Sequence, residues 1–251
     1  MAKPIVIILI LLLTVLVYKY TSHPKYKLAF YTCFYGTNTN DAFKIPEVPS
    51  SKYDCYYFTN NPEIIKKLKA TRWIPIFDNK PVTTNITESC MYGKYVKVLP
   101  SQVEQLKGYD YTCFLDSKLD KVSEHFVEDF IYKHFIKNDY ALLIREHTLI
   151  KDANIWNEYN ESMLQERYVK QKEQILRYIH KQMKKGLKED TKQHSQCGFL
   201  IRNMRHPIIS ELDSTWYDHI QECGIQDQIS FFFVKQIYEP HILIFKEIPF
   251  V

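Results

Sequence analysis

The chain alternates between short runs in which nearly every side chain is apolar or aromatic and longer stretches in which apolar residues recur every three to four positions. The first pattern predicts buried strands; the second predicts helices packed along one face. Strand-like runs fall at 28–34 (LAFYTCF), 53–58 (YDCYYF), 73–77, 109–115 (YDYTCFL), 140–144 and 198–201, and a last apolar run covers 242–250. Segment 62–68 opens on Pro62, which suits the first turn of a helix. Residues 87–106 read as mostly helical with a break at Pro100. Ser123 suits the N-cap of a helix on which Phe126, Val127, Phe130, Ile131 and Phe135 recur at helical spacing. Residues 160–188 predict a long charged helix or a pair of helices ending near Gly186, and 207–223 and 226–237 predict two more.

Strands alternating with helices predict an α/β fold with a mostly parallel central sheet. No repeat and no Pro/Ser-rich linker follows residue 27, so 28–251 reads as one domain. In such sheets a ligand lies outside the carboxyl ends of the strands. The polar residues at those ends are Tyr35, Gly36, Thr37 and Asn38, then Thr59 and Asn60, then Asp116, Ser117 and Lys118.

Ahead of the domain, residues 4–17 (PIVIILILLLTVLV) carry no charge. The run is too apolar on every side for a surface helix. Tyr18 and Tyr20 extend it toward a membrane interface, and no small-x-small cleavage site follows. Residues 1–20 are therefore read as an uncleaved, single-pass signal-anchor, joined by a linker over 21–27. Lys19, Lys25 and Lys27 would keep the domain in the cytosol, whereas sequons at Asn85 and Asn160 suit a type II protein with a lumenal domain. The flanking charges leave the orientation open.

Composition narrows the chemistry. The net charge of +4, from 33 basic and 29 acidic residues, is too small and too dispersed for a nucleic-acid-binding stripe. The nine histidines include no H-E-x-x-H and the six cysteines no C-x-x-C, so spacing offers no zinc site. With only six glycines there is no G-x-G-x-x-G and no G-x-x-x-x-G-K-S/T. A nucleotide site in this chain has to be made from side chains.

Asp116, directly after YTCFL, can coordinate a cation, accept hydrogen bonds from ribose hydroxyls, or merely end a strand. Lys118 can pair with a diphosphate or face water. Lys94 and Lys97 lie three apart on one helix face and have the same two options. Arg145, Glu146 and His147 follow ALLI, as acceptor-binding or acid–base groups or as a polar loop. Asp227 begins a helix and reads either as a first-turn acid or as a general base. Trp216 reads as core or as a stacking platform, and Glu158 as a further candidate carboxylate.

Three segments in order, CMYGKYVKVLPSQ…YDYTCFLDSKL, ALLIREHTLIKDANIWNEYNE and FLIRNMRHP…TWYDHIQECGIQDQISF, resemble the glycosyltransferase-like domain of the plant mucilage- and turgor-related proteins, which has bacterial and viral relatives. The resemblance covers about residues 28–238. It implies a GT-A-like fold, a nucleotide-sugar donor and a glycan, protein or lipid acceptor. It implies donor contacts from Lys94, Lys97, Asp116 and Lys118, with Tyr35, Gly36, Thr37, Asn38, Thr59 and Asn60 around the nucleoside. His147, Glu158 and Asp227 would lie near the acceptor, with Asp227 or Glu158 the general base of an inverting reaction. Arg145, Arg202, Trp216 and Gln228 would complete the acceptor side. Gln226 stands where the family usually has Arg, and His219 where an acid often follows the Trp. Most GT-A enzymes hold Mn²⁺ with Asp-x-Asp. Here Lys118 replaces the second Asp, so either Asp116 binds Mn²⁺ or Mg²⁺, or Lys118 supplies the positive charge instead. The resemblance also admits a non-catalytic sugar- or nucleotide-binding module and a ceramidase-type lipid amide hydrolase.

Overall fold

The structure, a computed structural model, describes residues 26–37, 45–119, 121–150 and 152–249. The expected anchor at 1–20, the linker up to residue 25 and Asn38 lie outside these residues. Among the described residues no helix is long and apolar enough to cross a membrane.

Seven strands form one sheet: β1 (Leu28–Phe34), β2 (Asp54–Thr59), β3 (Ile74–Phe77), β4 (Tyr111–Leu115), β5 (Leu142–Glu146), β6 (Ser195–Asn203) and β7 (Ile242–Phe245). Their order is β3-β2-β1-β4-β6-β5-β7. The β1–β2, β2–β3, β1–β4 and β5–β7 pairs are parallel, and β6 runs antiparallel to both β4 and β5. This is an α/β domain with a mostly parallel sheet, as the alternation of strands and helices predicts. The chain steps from β1 to β2 on one side and later returns to lay β4 on the other. The crevice between the carboxyl ends of β1 and β4 is thus a topological switch point.

The helices are α1 (Pro62–Leu68), α2 (Ile86–Val98), α3 (Glu124–Phe130), α4 (Ile155–Ser162), α5 (Glu166–Val169), α6 (Lys172–Lys184), α7 (Ile209–Cys223) and α8 (Asp227–Ile237). Alternate residues of β1 serve opposite faces of the sheet. Ala29 and Tyr31 join Val96 of α2, Trp216 of α7 and Phe231 of α8 in one core. Leu28 and Phe30 join Ile64 of α1 and Val127 of α3 in another. A third cluster packs α4, α5 and α6 against Phe232 and Phe233 of α8. The run FFFV of α8 is apolar all round because two cores close on it.

Several element bounds shift. The predicted helix 87–106 stops at Val98, and Pro100 opens two short 3₁₀ turns. The segment expected as 160–188 is three helices, α4 beginning earlier at Ile155 and α6 ending at Lys184. Strand β6 extends to both sides of the expected 198–201, and only Ile242–Phe245 of the last apolar run is a strand.

Arg202 belongs to the core, not to an acceptor site. It is fully buried near the carboxyl end of β6, opposite Thr112 and Leu142 in the first half of β4 and β5. Its Nε donates to both carboxylate oxygens of Asp213, at 2.9 and 3.1 Å, and Nη1 donates to the Tyr31 hydroxyl at 3.2 Å. Burial pushes the Asp213 carboxyl up to about 6, against the pull of Arg202. Trp216 is likewise fully buried in α7, its Nε1 donating to Ser230 Oγ at 3.2 Å. It packs the core and offers no stacking face.

Candidate functional site

A cavity of about 820 Å³ opens at the β1/β4 switch point, within the range of small-molecule sites. Cys33, Phe34, Tyr35 and Thr37 line it from the end of β1, and Asp116, Ser117, Lys118 and Leu119 from the end of β4. Because β6 is reversed, its amino end, with Gln196, Cys197 and Gly198, meets the same crevice. Helix α2 contributes Ser89, Cys90, Gly93, Lys94 and Lys97, α5 Arg167 and Tyr168, and the head of α8 Gln226, Asp227 and Gln228.

Of the predicted donor residues, Tyr35, Thr37, Lys94, Lys97, Asp116 and Lys118 line the cavity together. Gly36, Thr59 and Asn60 act one layer behind. The Gly36 N–H donates to Asn60 Oδ1 at 2.9 Å, and the Gly36 carbonyl accepts from Asn61 Nδ2 at 2.9 Å. Thr59 Oγ1 accepts from the Asn61 N–H at 3.1 Å. Gly36 has φ of 92°, and a Cβ there would meet Ser89 Oγ at 2.4 Å, so this turn has room for no side chain. The Tyr35 hydroxyl donates to Asp78 Oδ2 at 3.1 Å, fixing its ring against the cavity.

The electrostatic centre is Asp227. Lys94 Nζ lies 2.7 Å and Lys97 Nζ 2.5 Å from the same oxygen, Oδ2. The two lysines share one face of α2 because they are three residues apart, and the packed body of α8 holds Asp227 at its first turn. Burial would raise the Asp227 carboxyl, but the two ammonium groups outweigh it and hold the group down at about 2. Asp227 lines the site as expected, but it is a doubly paired anion and a poor proton acceptor at neutral pH.

Glu158 does not reach the cavity. It is buried in α4, where His194 Nε2 lies 2.6 Å and the Nε2 atoms of Gln226 and Gln228 lie 2.9 and 3.0 Å from its carboxylate. The Ser162 hydroxyl adds a fourth donor at 3.3 Å. His147, half-buried after β5, also stays off the cavity lining. Its Nδ1 accepts the N–H groups of Leu149 and Ile150, at 3.2 and 2.9 Å, and its ring stacks on His194 at 5.3 Å. Burial lowers its pKa. Arg145 lies behind the lining residue Gln196, its Nη1 donating to Gln196 Oε1 at 3.5 Å. The general-base roles expected for Glu158 and Asp227 therefore find no support in the geometry. One is walled off and the other is neutralised.

Four cations, Lys94, Lys97, Lys118 and Arg167, line the cavity against two carboxylates, Asp116 and Asp227. The arrangement suits an anion of charge about −2, with charge-assisted hydrogen bonds supplying the attraction. To a protein-held metal ion it offers one uncommitted carboxylate at most, that of Asp116. Asp227 is committed to lysines, and Asp116 Oδ1 already accepts the Lys118 N–H at 3.1 Å, beside that residue's ammonium-bearing side chain. Among the described residues, the one group of three ligand side chains close enough to share an ion is Glu124, His125 and Glu128 on α3. That group lies off the cavity, and Lys52 and Tyr53 already bind its Glu128.

Arg167, Tyr168, Gln196 and Cys197 were not foreseen as site residues. The first two lie in a charged stretch that reads as solvated surface. The other two reach the cavity only because β6 is antiparallel, which no local pattern encodes. Three thiols line the wall, Cys197 buried and Cys33 and Cys90 partly so, and desolvation raises the pKa of each, that of Cys33 to about 12, so they act as packing groups rather than nucleophiles.

No family model matches the chain, and no curated protein does. Among solved structures, the chain is similar to apo mouse xyloside xylosyltransferase 1, with 13% identity and a TM-score of 0.45 over 88% of this chain and 85% of that one. It is also similar to apo WbbM, a bifunctional glycosyltransferase, with 11% identity and a TM-score of 0.46. That match covers 89% of this chain and 40% of WbbM. Both are remote likenesses, and what the cavity can do is read from its own side chains.

Proposed function

We propose that the chain is a glycosyltransferase that binds a nucleotide-sugar in the β1/β4 crevice. The observation that carries this reading is the surplus of positive charge at a topological switch point, where two lysines share one carboxylate. Tyr35 and Thr37 flank the nucleoside, and Asp116 accepts its ribose hydroxyls. Lys118 and Arg167 receive the diphosphate, with the Lys94–Asp227–Lys97 group beyond them facing the sugar. When the bond between the sugar and the diphosphate breaks, negative charge develops on the departing phosphate. Fixed ammonium and guanidinium groups stabilise that charge without reorganising. Lys118 takes the part that the second carboxylate and its metal play in an Asp-x-Asp site. The acceptor is a glycan, protein or lipid hydroxyl entering past Gln228.

Residues 1–20 are proposed to anchor the domain as a type II protein facing the ER or Golgi lumen. Glycan attachment at Asn85 is compatible with the fold, since only Oδ1 of that side chain caps α2. A glycosidase-sensitive mass shift in cells supports this orientation; its absence together with cytosolic protease access refutes it.

The functional test is a thermal-shift and turnover screen with UDP- and GDP-sugars. A donor that raises the melting temperature and releases its nucleoside diphosphate supports the transferase. Stabilisation without turnover by any acceptor leaves a binding module, and cleavage of ceramide with no response to nucleotides leaves the hydrolase.

A further inference from the structure

Gln226 and Gln228 both line the cavity, yet both point their amide nitrogens away from it. Each Nε2 donates to Glu158, Gln226 to Oε1 and Gln228 to Oε2. Gln226 Nε2 also donates to Ser162 Oγ at 2.7 Å. An ionised carboxylate only accepts, so it dictates which end of each amide faces it. The amide oxygens belong to two side chains that line the cavity, and neither oxygen has a hydrogen-bond partner among the described residues. Glu158 itself is saturated: His194, Gln226, Gln228 and Ser162 take both of its oxygens, and its side chain is 3% exposed.

We infer that Glu158 is a positioning residue that locks two glutamines into a pair of hydrogen-bond acceptors, which read the hydroxyl groups of the sugar half of the donor. This rests on the proposed nucleotide-sugar reading and deepens it. A free glutamine presents donor or acceptor with equal ease; Gln226, with both N–H groups spent on Glu158 and Ser162, can present only its oxygen, and Gln228, with one N–H spent on Glu158, presents its oxygen with one N–H left. The pair flanks Asp227, so that end of the cavity offers oxygen acceptors beside the two lysines. The diphosphate end offers cations. The two ends therefore contribute separately to affinity, and Glu158 should act on one of them alone.

Glu158→Gln tests this with an isosteric change. Its new amide puts a donor where an acceptor stood, so at least one glutamine must turn over and show an N–H to the sugar. Isothermal titration of the full chain with UDP and GDP, and with UDP-glucose, UDP-galactose, UDP-xylose and GDP-mannose, separates the two ends. The expected result is that the best sugar conjugate loses about tenfold or more in affinity while the bare nucleoside diphosphate keeps its own, the loss of roughly one hydrogen bond. Gln228→Met, which deletes one acceptor and leaves Glu158 with its other partners, should give a loss of the same kind and decides the matter if Glu158→Gln does not fold. Equal losses for conjugate and bare diphosphate would mark Glu158 as merely structural, and unchanged discrimination in both variants would overturn the inference. A wild-type chain that binds the diphosphates but no conjugate more tightly overturns it too, while the cationic site stands. If the wild type binds none of the probes, the nucleotide-sugar reading fails first.

Discussion

Among the described residues, two buried groups pair lysine or arginine with a carboxylate, and the two are built to opposite ends. Near the amino end of β4, Arg202 and Asp213 form a closed pair, one cation to one carboxylate, with side chains 0% and 1% exposed. At the carboxyl end of the sheet, Lys94 and Lys97 share the single carboxylate of Asp227. The first balances itself and points nowhere. The second is left with a positive charge to spare and lies on a cavity wall. Burial alone thus does not separate structural charge from functional charge; the balance of the group does.

The comparison breaks most visibly at the closed pair. Arg202→Met strands the buried Asp213 carboxylate and should cost about 3–5 kcal/mol in a denaturant titration. Adding Asp213→Leu should restore much of it, with nucleotide affinity unaffected throughout. The open group should behave in reverse. Lys97→Met leaves Asp227 paired with Lys94, so stability should fall little, while turnover of the nucleotide-sugar should fall by about 10²–10³, as when one preorganised donor is removed. A large stability loss with normal turnover would erase the distinction.

Acid sharpens the contrast. The Asp227 carboxyl is lower in the fold, at about 2, than in the unfolded chain. It therefore contributes stability that is present above about pH 4 and lost as pH falls toward 2, worth about 2 kcal/mol in all. Asp213 has the opposite sign. Its raised value, about 6, means that its contribution weakens as pH rises from about 4 to 6. Stability measured against pH in Asp227→Asn should lose the acid limb, and in Asp213→Asn it should keep it. The smallest effect belongs to Lys118, whose exposed ammonium group is screened by solvent and salt. Lys118→Ala should weaken nucleoside diphosphate binding by about tenfold, more at low ionic strength, with the melting temperature unchanged. Strict Mn²⁺ dependence unaffected by this change would remove Lys118 from the metal's place.

The strands were legible where both faces of the sheet are covered. β1 falls where the run LAFYTCF predicts it, since a doubly buried strand needs apolar residues at consecutive positions. β6 extends beyond its apolar run because Ser195 is buried, Gln196 meets the cavity and Arg202 carries a buried ion pair, so polar letters hide part of the strand. The site was legible at the strand ends, where Tyr35, Asp116 and Lys118 follow apolar runs, and on α2, where spacing put Lys94 and Lys97 on one face. It was not legible at Glu158, Arg202 and Trp216. A charged or aromatic letter does not say whether its partner is a substrate or another side chain, and here the partners lie from 4 to 171 residues away.

The nucleotide grip proposed for this cavity is distributed over separate side chains on α2, the β4 end, α5 and the head of α8. A glycine-rich loop holds phosphate through the path of its backbone, and altering it means re-routing the chain. Here Lys94 and Lys97 sit on α2 and Arg167 on α5, while Lys118 lies in the turn after β4. Single codon changes at positions 94, 97, 118 or 167 can therefore retune charge, reach or selectivity one step at a time while the scaffold stays put. Such a site is open to gradual evolutionary drift between donors, and related chains should differ in these side chains sooner than in the sheet that carries them.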